Sequence, residues 1–500
     1  MYFHLTTLIN LSKDIDDEIL KNLDNEIKNS EKLKRGIDGS FEINLEKEKS
    51  NTIKLQIKSE YRAHNIFLRV RKILAEYLGK NYKIGVKEIL LKNYEISMEV
   101  EKTPLKPIKV PFANVYFSGN NCKILCENLD EKFLNENYAD RIISLVKEKI
   151  AKQYYKGKKE FWKLIWESEK REISYNKDPS EEMRKRNWIV QISKGKWFYN
   201  PQAVVIFNAM ETIAIEEFVK KLGFMEVINS NIKPLEIWVK TGHLSGIPNE
   251  IYYVANPKTR DEDFWEEFKD YVKITREIPK EKLKDLVEIN YGITYAQCPM
   301  IYYTLSNKTI PDENLPLKFF ERTVISARYE AGGTHGIERC DEFHRIENVY
   351  IGTPEQLIKL KEEMIETYKY IFNEILELEW RIAKVTPFYQ QQAGEIFKDE
   401  IEDLGTLDFE AYLPYRGKRE SSEWLEFQNL SIVGEKYVNA FNIKAQKSKL
   451  WSGCTGIGIE RWMTVFLAQH GFDYDKWPEK FLKYVDVKKI EEYDKKMKFL

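Results

Sequence analysis

The segment "SARYEAGGTHGIERCDEFHRIE", residues 326 to 347, decides the predicted fold. Its flanks, "FFERTVI" and "NVYIGT", have the apolar and β-branched composition of buried strands. Arg328 and Glu330 are two residues apart, so on a strand their side chains leave the same face. Arg339 and Phe343 would follow on a returning strand. The segment therefore predicts a β-hairpin suited to a nucleotide, because guanidinium groups match phosphate oxygens and a base stacks on an aromatic ring.

Two further motifs carry polar chemistry. In "GIGIER" two glycines allow a close approach of the backbone, and Arg461 lies on the first turn of the helix that follows. In "EFQN" the side chains of Glu426 and Asn429 offer hard oxygen ligands suited to Mg²⁺. Taken alone, these motifs are also explained by a pair of helix-packing glycines and by an ordinary strand end. The RxE pattern of Arg328 and Glu330 is equally unspecific by itself.

Taken together and in this order, the three motifs resemble the signature of class II aminoacyl-tRNA synthetases. The likeness is closest to the methanogenic-type, zinc-dependent seryl-tRNA synthetases. It is carried by "RAHNIFLRVRKILAEYLGK", "GTLDFEAYLPYRGK", "WLEFQNLS" and "LWSGCTGIGIERW", and it extends over essentially the whole chain. It implies an α+β fold, in which an antiparallel sheet is flanked by helices, with an N-terminal α/β tRNA-binding domain and a helical insertion in the catalytic domain.

The resemblance also implies roles for individual residues in serine-tRNA ligation. Arg328, Glu330 and Arg461 would be catalytic. The ATP-binding set would be Arg328, Glu330, Glu338, Arg339, Phe343, Glu426 and Arg461, with Mg²⁺ held by Glu426 and Asn429. Serine would be recognised by Arg345, Phe388, Asn429 and Ser431. Phe388 stands where this family usually has tryptophan, and Ser230 stands where the first motif usually has proline.

Five cysteines are spread thinly along the chain, a usage typical of reduced thiols inside cells. From spacing alone, cysteines more than a hundred residues apart indicate buried core positions. The resemblance instead implies one Zn²⁺ per chain, held by Cys298, Glu347 and Cys454, with one tetrahedral position left open. Cys122, Cys126 and Cys340 are interpreted as structural.

The length of 500 residues favours two domains or one large domain with insertions. We expect a tRNA-binding domain at residues 1–165 and a catalytic domain at residues 166–500, with a helical insertion at about residues 261–290. The pattern of residues 140–170 predicts a helix across the domain junction. The first 160 residues hold 30 Lys+Arg against 24 Asp+Glu, although the whole chain has a net charge of −1. The cationic residues expected to face tRNA cluster on one predicted helix: Arg62, Arg69, Arg71 and Lys72.

The predicted reaction is the ATP-dependent formation of seryl-adenylate and transfer of the seryl group to the terminal adenosine of tRNASer. Two alternatives stay open: a ligase that loads a small amino acid onto a carrier protein, and a catalytically inactive RNA-binding paralogue. The expected partners are tRNASer, serine and ATP, with a second copy of the chain in a homodimer and no membrane. An apolar run of membrane-spanning length and the pattern of a signal peptide are both missing from the sequence, so a cytoplasmic location is expected.

Overall fold

Alternating apolar residues build the sheet of the first unit. In the computed structural model, Tyr2–Leu11 (β1) buries every second side chain, as expected of a strand with one covered face. The model describes residues 1–37, 39–154, 161–330, 333–386 and 404–498. The described chain forms two compact units, residues 1–158 and 159–500. The predicted boundary between residues 165 and 166 falls inside the second unit.

Six antiparallel strands form one sheet in the first unit, in the order β2-β3-β1-β4-β6-β5. After β1 the strands are β2 (Phe41–Lys49), β3 (Thr52–Ser59), β4 (Val86–Glu99), β5 (Asn114–Ser118) and β6 (Asn121–Asp130). The helices are α1 (Asp17–Asn29), α2 (Glu31–Lys34), α3 (Ala63–Tyr82), α4 (Lys132–Asn135) and α5 (Tyr138–Tyr154).

The apolar residues from Ile66 to Tyr77 recur at three- and four-residue steps, which predicts a helix ended by Gly79, and the structure forms α3 here. Ile66, Val70 and Ile73 are buried on one face of α3 and join the core of the first unit. The helix continues three residues past Gly79 and ends at Lys83, which adopts a left-handed conformation. Gly79 does not have a positive φ, and it does not end the helix.

The central sheet of the second unit has eight strands in the order β10-β15-β16-β21-β19-β18-β17-β7. Every pairing is antiparallel except that of β10 with β15. The strands are β7 (Trp162–Glu167), β10 (Met225–Glu226), β15 (Leu317–Ala327), β16 (Glu342–Gly352), β17 (Trp380–Val385), β18 (Gly405–Ala411), β19 (Leu425–Gly434) and β21 (Trp451–Gly458). The predicted α+β fold with an antiparallel catalytic sheet is confirmed.

Small sheets flank the central one. They contain β8 (Ile189–Ser193) with β9 (Lys196–Tyr199), β11 (Ile232–Pro234) with β12 (Tyr253–Pro257) and β13 (Val287–Ile293), and β14 (Thr309–Ile310) with β20 (Lys444–Ala445). The helices are α6 (Pro179–Lys185), α7 (Pro201–Ile213), α8 (Leu235–Thr241), α9 (His243–Gly246), α10 (Glu262–Thr275), α11 (Lys280–Leu286), α12 (Cys298–Thr304), α13 (Pro354–Tyr370), α14 (Lys436–Ala440), α15 (Ile459–His470) and α16 (Val487–Lys496). Two π-helical turns extend α7 to Lys220 and α13 to Ile375.

The prediction of a helix through residues 140–170 is wrong in its second half. The helix α5 ends at Tyr154, and β7 pairs with β17 at the edge of the central sheet. Trp162–Glu167 pairs with β17 across a bulge at Ile165, and most of its side chains are exposed. The lysine-rich composition of this stretch favours a helix, but backbone pairing with β17 makes residues 162–167 a strand.

The second unit carries the larger of the hydrophobic cores, between the central sheet and the helices α7, α13 and α15. The fully buried side chains of Phe372, Trp380 and Trp462 pack edge-to-face at ring-centroid separations of 5.1 to 5.2 Å. Such a packed layer leaves the opposite face of β16, β19 and β21 to carry polar residues. Among the described residues, no helix combines the length and the apolar composition needed to cross a bilayer.

Candidate active site

A cavity of about 380 Å³ lies in the second unit over the central sheet. Its walls come from β16, β18, β19 and β21, the loop between β15 and β16, and the first turn of α15. The predicted site residues among its lining are Cys298, Arg328, Glu330, Glu338, Arg339, Phe343, Arg345, Glu347, Glu426, Asn429, Ser431, Cys454 and Arg461. Motifs far apart in sequence therefore open on one cavity. Phe388 lies outside the described residues.

The hairpin of the opening segment is formed by β15 and β16, which pair antiparallel from Leu317 to Ala327. Arg328 and Glu330 lie just after the end of β15, so the prediction that they occupy a strand is wrong. Their side chains nevertheless meet, with Arg328 Nε 3.2 Å from Glu330 Oε1 and 2.9 Å from Glu250 Oε2. The Arg339 Nε donates to Glu330 Oε2 at 3.0 Å. One carboxylate thus holds both guanidinium groups at the cavity.

The Glu338 carboxylate is buried beneath this loop. Its Oε1 accepts hydrogen bonds from Tyr415 Oη at 3.1 Å and from Arg416 Nη2 at 3.0 Å, and it also contacts His335 Nδ1. Burial raises the pKa of Glu338, but the hydrogen bond and charge of His335, with the charge of Arg416, bring that pKa below its ordinary value. The Glu338 carboxylate is therefore an anion, and its hydrogen bonds stabilise the loop.

Arg461 reaches the cavity from the start of α15. Its Nε donates to the backbone oxygen of Glu338 at 3.0 Å, and its Nη1 donates to the backbone oxygen of Glu426 at 2.6 Å. The same Nη1 lies 3.1 Å from Glu426 Oε2. Asn429 Nδ2 is 3.4 Å from Glu426 Oε1, so the two residues proposed as Mg²⁺ ligands are neighbours on β19. Glu426 is therefore in contact with Arg461 on one side and with Asn429 on the other.

Cys298, Glu347 and Cys454 converge from α12, β16 and β21. Their two sulfurs and a carboxylate oxygen all lie within 4.8 Å of one another, and this is a group able to hold a metal ion within the described ranges. The edge of a tetrahedral zinc site with two thiolates is about 4 Å, so the spacing fits Zn²⁺. The hydrogen bond from Cys298, followed by burial, raises the pKa of the Cys454 thiol well above its usual value in the absence of a metal.

The unpartnered carboxylate oxygen at this group supports the same fit. Glu347 is 3% exposed, and its Oε2 has no hydrogen-bond partner among the described residues, although Arg345 Nη1 lies 3.5 Å away. Leaving a buried carboxylate oxygen unpaired is unfavourable unless a further ligand completes it. Soft sulfur with a carboxylate is a donor set that Zn²⁺ accepts.

The lining between this group and the nucleotide end is polar. Ser431 Oγ lies 2.7 Å from Thr406 Oγ1, and both residues are mostly buried on neighbouring strands. The Arg345 guanidinium lies 5.1 Å from the centre of the Phe343 ring. These contacts define a pocket for a small polar molecule, with a cation at one side and hydroxyl groups at another.

Residues 282–470 match the model of the tRNA synthetase class II core domain (G, H, P, S and T), and residues 1–148 match a tRNA-binding domain. The type-2 serine–tRNA ligase of Methanococcoides burtonii is 43% identical over 452 residues, which cover 90% of this chain and 88% of the relative. The enzyme of Methanothrix thermoacetophila is 44% identical, and the match covers 86% of each chain. The chain belongs to the type-2 serine–tRNA ligases.

The same family accounts for the fold. The crystal structure of A. aeolicus tRNASec in complex with M. kandleri SerRS matches with a TM-score of 0.82 and 30% identity, and the match covers 97% of both chains. A cytoplasmic serine–tRNA ligase from Naegleria fowleri matches at a TM-score of 0.50 and 15% identity. At that identity the similarity concerns the fold alone. The predicted membership of the methanogenic-type seryl-tRNA synthetases is confirmed.

In this type-2 ligase, the arginines expected to face tRNA contact other residues of the first unit. Arg62 Nε pairs with Asp140 at 2.8 Å, Arg71 Nη2 pairs with Glu131 at 2.7 Å, and Arg69 Nη1 donates to the backbone oxygens of Leu33 and Arg35 at 3.0 and 2.6 Å. Lys72 is exposed. The contact of these four residues with tRNA stays a prediction, and the internal pairs make Lys72 its strongest member.

Some side chains near the cavity lie in stretches of sequence to which no role was assigned. Glu250 contacts Arg328 from a loop that no motif marked. Tyr415 and Arg416 stand in "YLPYRGK", a stretch used for the resemblance but without an assigned role. Lys233 is buried, and its stretch, "NIKPLEIW", was given no role either.

Proposed function

We propose that this chain activates serine with ATP and transfers the seryl group to the 3′-hydroxyl of the terminal adenosine of tRNASer. The observation that carries the proposal is one shared cavity. It is lined by Arg328, Glu330 and Arg461 at one part and by the group of Cys298, Glu347 and Cys454 at another. Membership of the type-2 serine–tRNA ligases supports the same reaction.

The first step joins serine to the nucleotide. A carboxylate oxygen of serine forms a bond to the α-phosphorus of ATP, the bond to the bridging oxygen breaks, and pyrophosphate leaves with the electron pair. In the second step the 3′-hydroxyl attacks the carbonyl carbon, loses its proton and displaces AMP. Neither step needs a covalent intermediate on the protein, so the chain's contribution is positioning and electrostatic stabilisation.

The proposed nucleotide contacts follow from the cations at the cavity. Arg328 holds the α-phosphate, while Arg339 and Arg461 hold the γ-phosphate, because a planar guanidinium matches phosphate oxygens. Their present partners include the carboxylates of Glu330 and Glu426, and phosphate oxygens are the natural replacement for such partners. Two further roles are assigned to residues at the adenine end, where Phe343 stacks on the base and Glu330 and Glu338 lie beside it.

Two groups of residues in different parts of the cavity would each hold a metal ion. Glu426 and Asn429 would hold Mg²⁺ with the phosphates of ATP, since hard oxygen ligands suit that ion. Cys298, Glu347 and Cys454 would hold Zn²⁺, which when bound supplies an open coordination position for the amino group of serine. A hydroxy acid lacks that amine, so the pocket would select α-amino acids before size selects serine.

Serine selection falls to the residues between these two metals. We assign the carboxylate of serine to Arg345, whose cation lies beside Phe343, and the side-chain hydroxyl to Asn429 and Ser431. Phe388, which lies outside the described residues, stays a predicted member of the serine-recognition set. A site that pairs the hydroxyl of its substrate discriminates against alanine, because its own polar groups would be left unpaired.

Residues 1–158 are proposed to bind tRNASer, and the second unit is proposed to form a homodimer. The support for tRNA binding is the tRNA-binding model that matches residues 1–148. The support for the dimer is the apolar surface beside the edge strand β10, where Met225, Ile228 and Ile232 are 50%, 94% and 49% exposed. Sedimentation of the purified chain at a mass of one protomer would contradict the dimer.

The decisive experiment is ATP–pyrophosphate exchange with serine, threonine, alanine, glycine and cysteine, followed by charging of tRNASer. We expect exchange with serine at least about 100-fold above alanine. Charging of a carrier protein instead of tRNA would favour the first alternative, and a protein that binds tRNA but exchanges no amino acid would favour the inactive paralogue.

A further inference from the structure

The triplet Arg328, Tyr329 and Glu330 lies just after the end of β15, and three backbone hydrogen bonds hold it there. The N–H of Arg328 donates to the backbone oxygen of Asp341 at 2.8 Å, and the N–H of Glu330 donates to Asp341 Oδ1 at 3.2 Å. Between them, the N–H of Tyr329 donates to the backbone oxygen of Glu250 at 2.9 Å. Asp341 therefore binds both ends of the triplet, once with its backbone and once with its side chain.

The Asp341 carboxylate is buried, and two further side chains hold it. Its Oδ2 accepts a hydrogen bond from Tyr252 Oη and another, of 3.4 Å, from Lys196 Nζ. Lys196 Nζ also donates to Tyr252 Oη at 3.0 Å. The N–H of Asp341 donates to the backbone oxygen of Gly195 at 2.8 Å, in the turn between β8 and β9. The carboxylate is thus fixed from the β8–β9 hairpin and from the residue that precedes β12.

The protonation states of the two donors suit these hydrogen bonds. Burial lowers the pKa of Lys196, but its hydrogen bonds and its attraction to Tyr252 and Asp341 bring that pKa above the ordinary value. Burial, followed by the hydrogen bond to Asp341, raises the pKa of the Tyr252 hydroxyl. At neutral pH an ammonium group and a neutral hydroxyl therefore face a carboxylate, and hydrogen bonds to a charged group are stronger than those between neutral groups.

Asp341, Tyr252 and Lys196 are not among the described residues that line the cavity, whereas Arg328 and Glu330 are. The first three can therefore reach a bound nucleotide only through the triplet. We propose that Asp341 is a positioning residue that holds Arg328 and Glu330 at the cavity, and that Tyr252 and Lys196 position its carboxylate. The proposal rests on the nucleotide role of Arg328 in the proposed function.

Glu330 carries the effect of Asp341 to the cations of the cavity. Its carboxylate lies against the guanidinium groups of both Arg328 and Arg339. If the backbone of Glu330 loses its bond to Asp341, both guanidinium groups lose a fixed partner. A cation stabilises charge at a phosphate most when it is already in place before the reaction, so a loosened triplet weakens ATP binding and slows the chemical step.

A purely structural role of Asp341, as a link between the β8–β9 hairpin and the central sheet, is the competing explanation. Loss of such a link lowers the melting temperature or the fraction of active molecules, but the molecules that stay folded use ATP normally. Loss of positioning instead raises the KM for ATP and lowers kcat per active site, while the KM for serine stays unchanged. The two explanations therefore differ in the KM for ATP of the active molecules.

The test measures pyrophosphate exchange by the full-length chain at varied ATP and at varied serine, with kcat referred to the titrated active sites. We expect Asp341→Ala to lower kcat/KM for ATP by about 10- to 100-fold and to leave the KM for serine within about threefold. Asp341→Asn keeps an oxygen that can accept the N–H of Glu330, so it should recover part of that loss.

Tyr252→Phe covers the case in which the Asp341 variants do not fold, because it removes one hydroxyl and keeps the ring. It should lower kcat/KM for ATP by about fivefold, since Asp341 keeps Lys196 and the triplet as partners. Tyr253→Phe is the matched control at the next residue, where the hydroxyl donates to the backbone oxygen of Pro248 at 2.9 Å. It should leave the KM for ATP within twofold.

Two results overturn the positioning role. One is a Tyr252→Phe chain that keeps the kcat/KM for ATP of the unchanged chain. The other is an Asp341→Ala chain in which only the active fraction falls and the KM for ATP does not change. Arg328→Ala, measured for ATP affinity by calorimetry, separates these results from a failure of the proposed function. Full ATP affinity without the Arg328 guanidinium would overturn the nucleotide role of Arg328, and the role of Asp341 with it.

Discussion

Gly456, the first glycine of "GIGIER", lies on β21 with little free space around it. The effect of replacing it with alanine can therefore be predicted from the atoms that a new Cβ would meet. A Cβ at this position would lie 2.8 Å from Glu347 Oε2, 2.9 Å from Arg345 Cδ and 3.1 Å from Arg345 Nε. Ordinary contacts begin at 3.4 Å, so these side chains would have to retreat by about 0.3 to 0.6 Å. The neighbours are side-chain ends and can move, so we expect Gly456→Ala to destabilise the chain by only about 1 kcal/mol.

The effect on function should be larger than the effect on stability. Both displaced side chains are assigned to the serine end of the cavity, where a misplacement of 1 Å can cost about 100-fold in rate. About half that displacement predicts a fall of roughly tenfold in kcat/KM for serine, together with weaker zinc binding, and little change in KM for ATP. The assay is pyrophosphate exchange at varied serine and at varied ATP, with zinc per chain measured by elemental analysis.

Gly458→Ala is the matched control two residues further along the same motif. A Cβ at Gly458 meets no atom within 4 Å, and its φ of −86° is open to any residue. Thermal stability and zinc content should therefore stay at the values of the unchanged chain. If Gly456→Ala keeps the serine kcat/KM and the zinc content of the unchanged chain, the close approach of this strand to Arg345 and Glu347 is not what positions them.

Four further outcomes are expected. Arg328→Ala and Arg461→Ala should each lower serine-dependent pyrophosphate exchange by about 10² to 10³ with the fold intact by circular dichroism, because each removes a preorganised phosphate contact; exchange within tenfold of the unchanged chain would contradict this. A chain that begins at residue 159 keeps β7 and should exchange pyrophosphate but lose most charging of tRNASer, and normal charging would refute tRNA binding by the first unit. Cys454→Ser should lose zinc and serine activation while ATP binding, measured by calorimetry, survives. Burial lowers the pKa of His470 from its ordinary value of 6.5 to about 4. The unfolded chain therefore takes up a proton at this histidine before the folded chain does, so stability should fall as pH drops from about 6.5 towards 4. His470→Gln should weaken this trend in thermal melts.

Local patterns in the sequence determined the main elements and the residue types of the site. The spacing of apolar residues predicted α3, because helical periodicity is a property of neighbouring residues. The flanks of the opening segment predicted β15 and β16 for the same reason. The resemblance then supplied roles for Arg328 and the other charged residues that periodicity cannot give.

The tertiary structure alone decided which residues meet. Cys298 and Cys454 come from different elements and converge only because α12 packs beside the strands that carry Glu347 and Cys454. The strand β7 was predicted as helix, because the lysine-rich stretch around it has a helical pattern and the strand forms only where β17 supplies backbone partners.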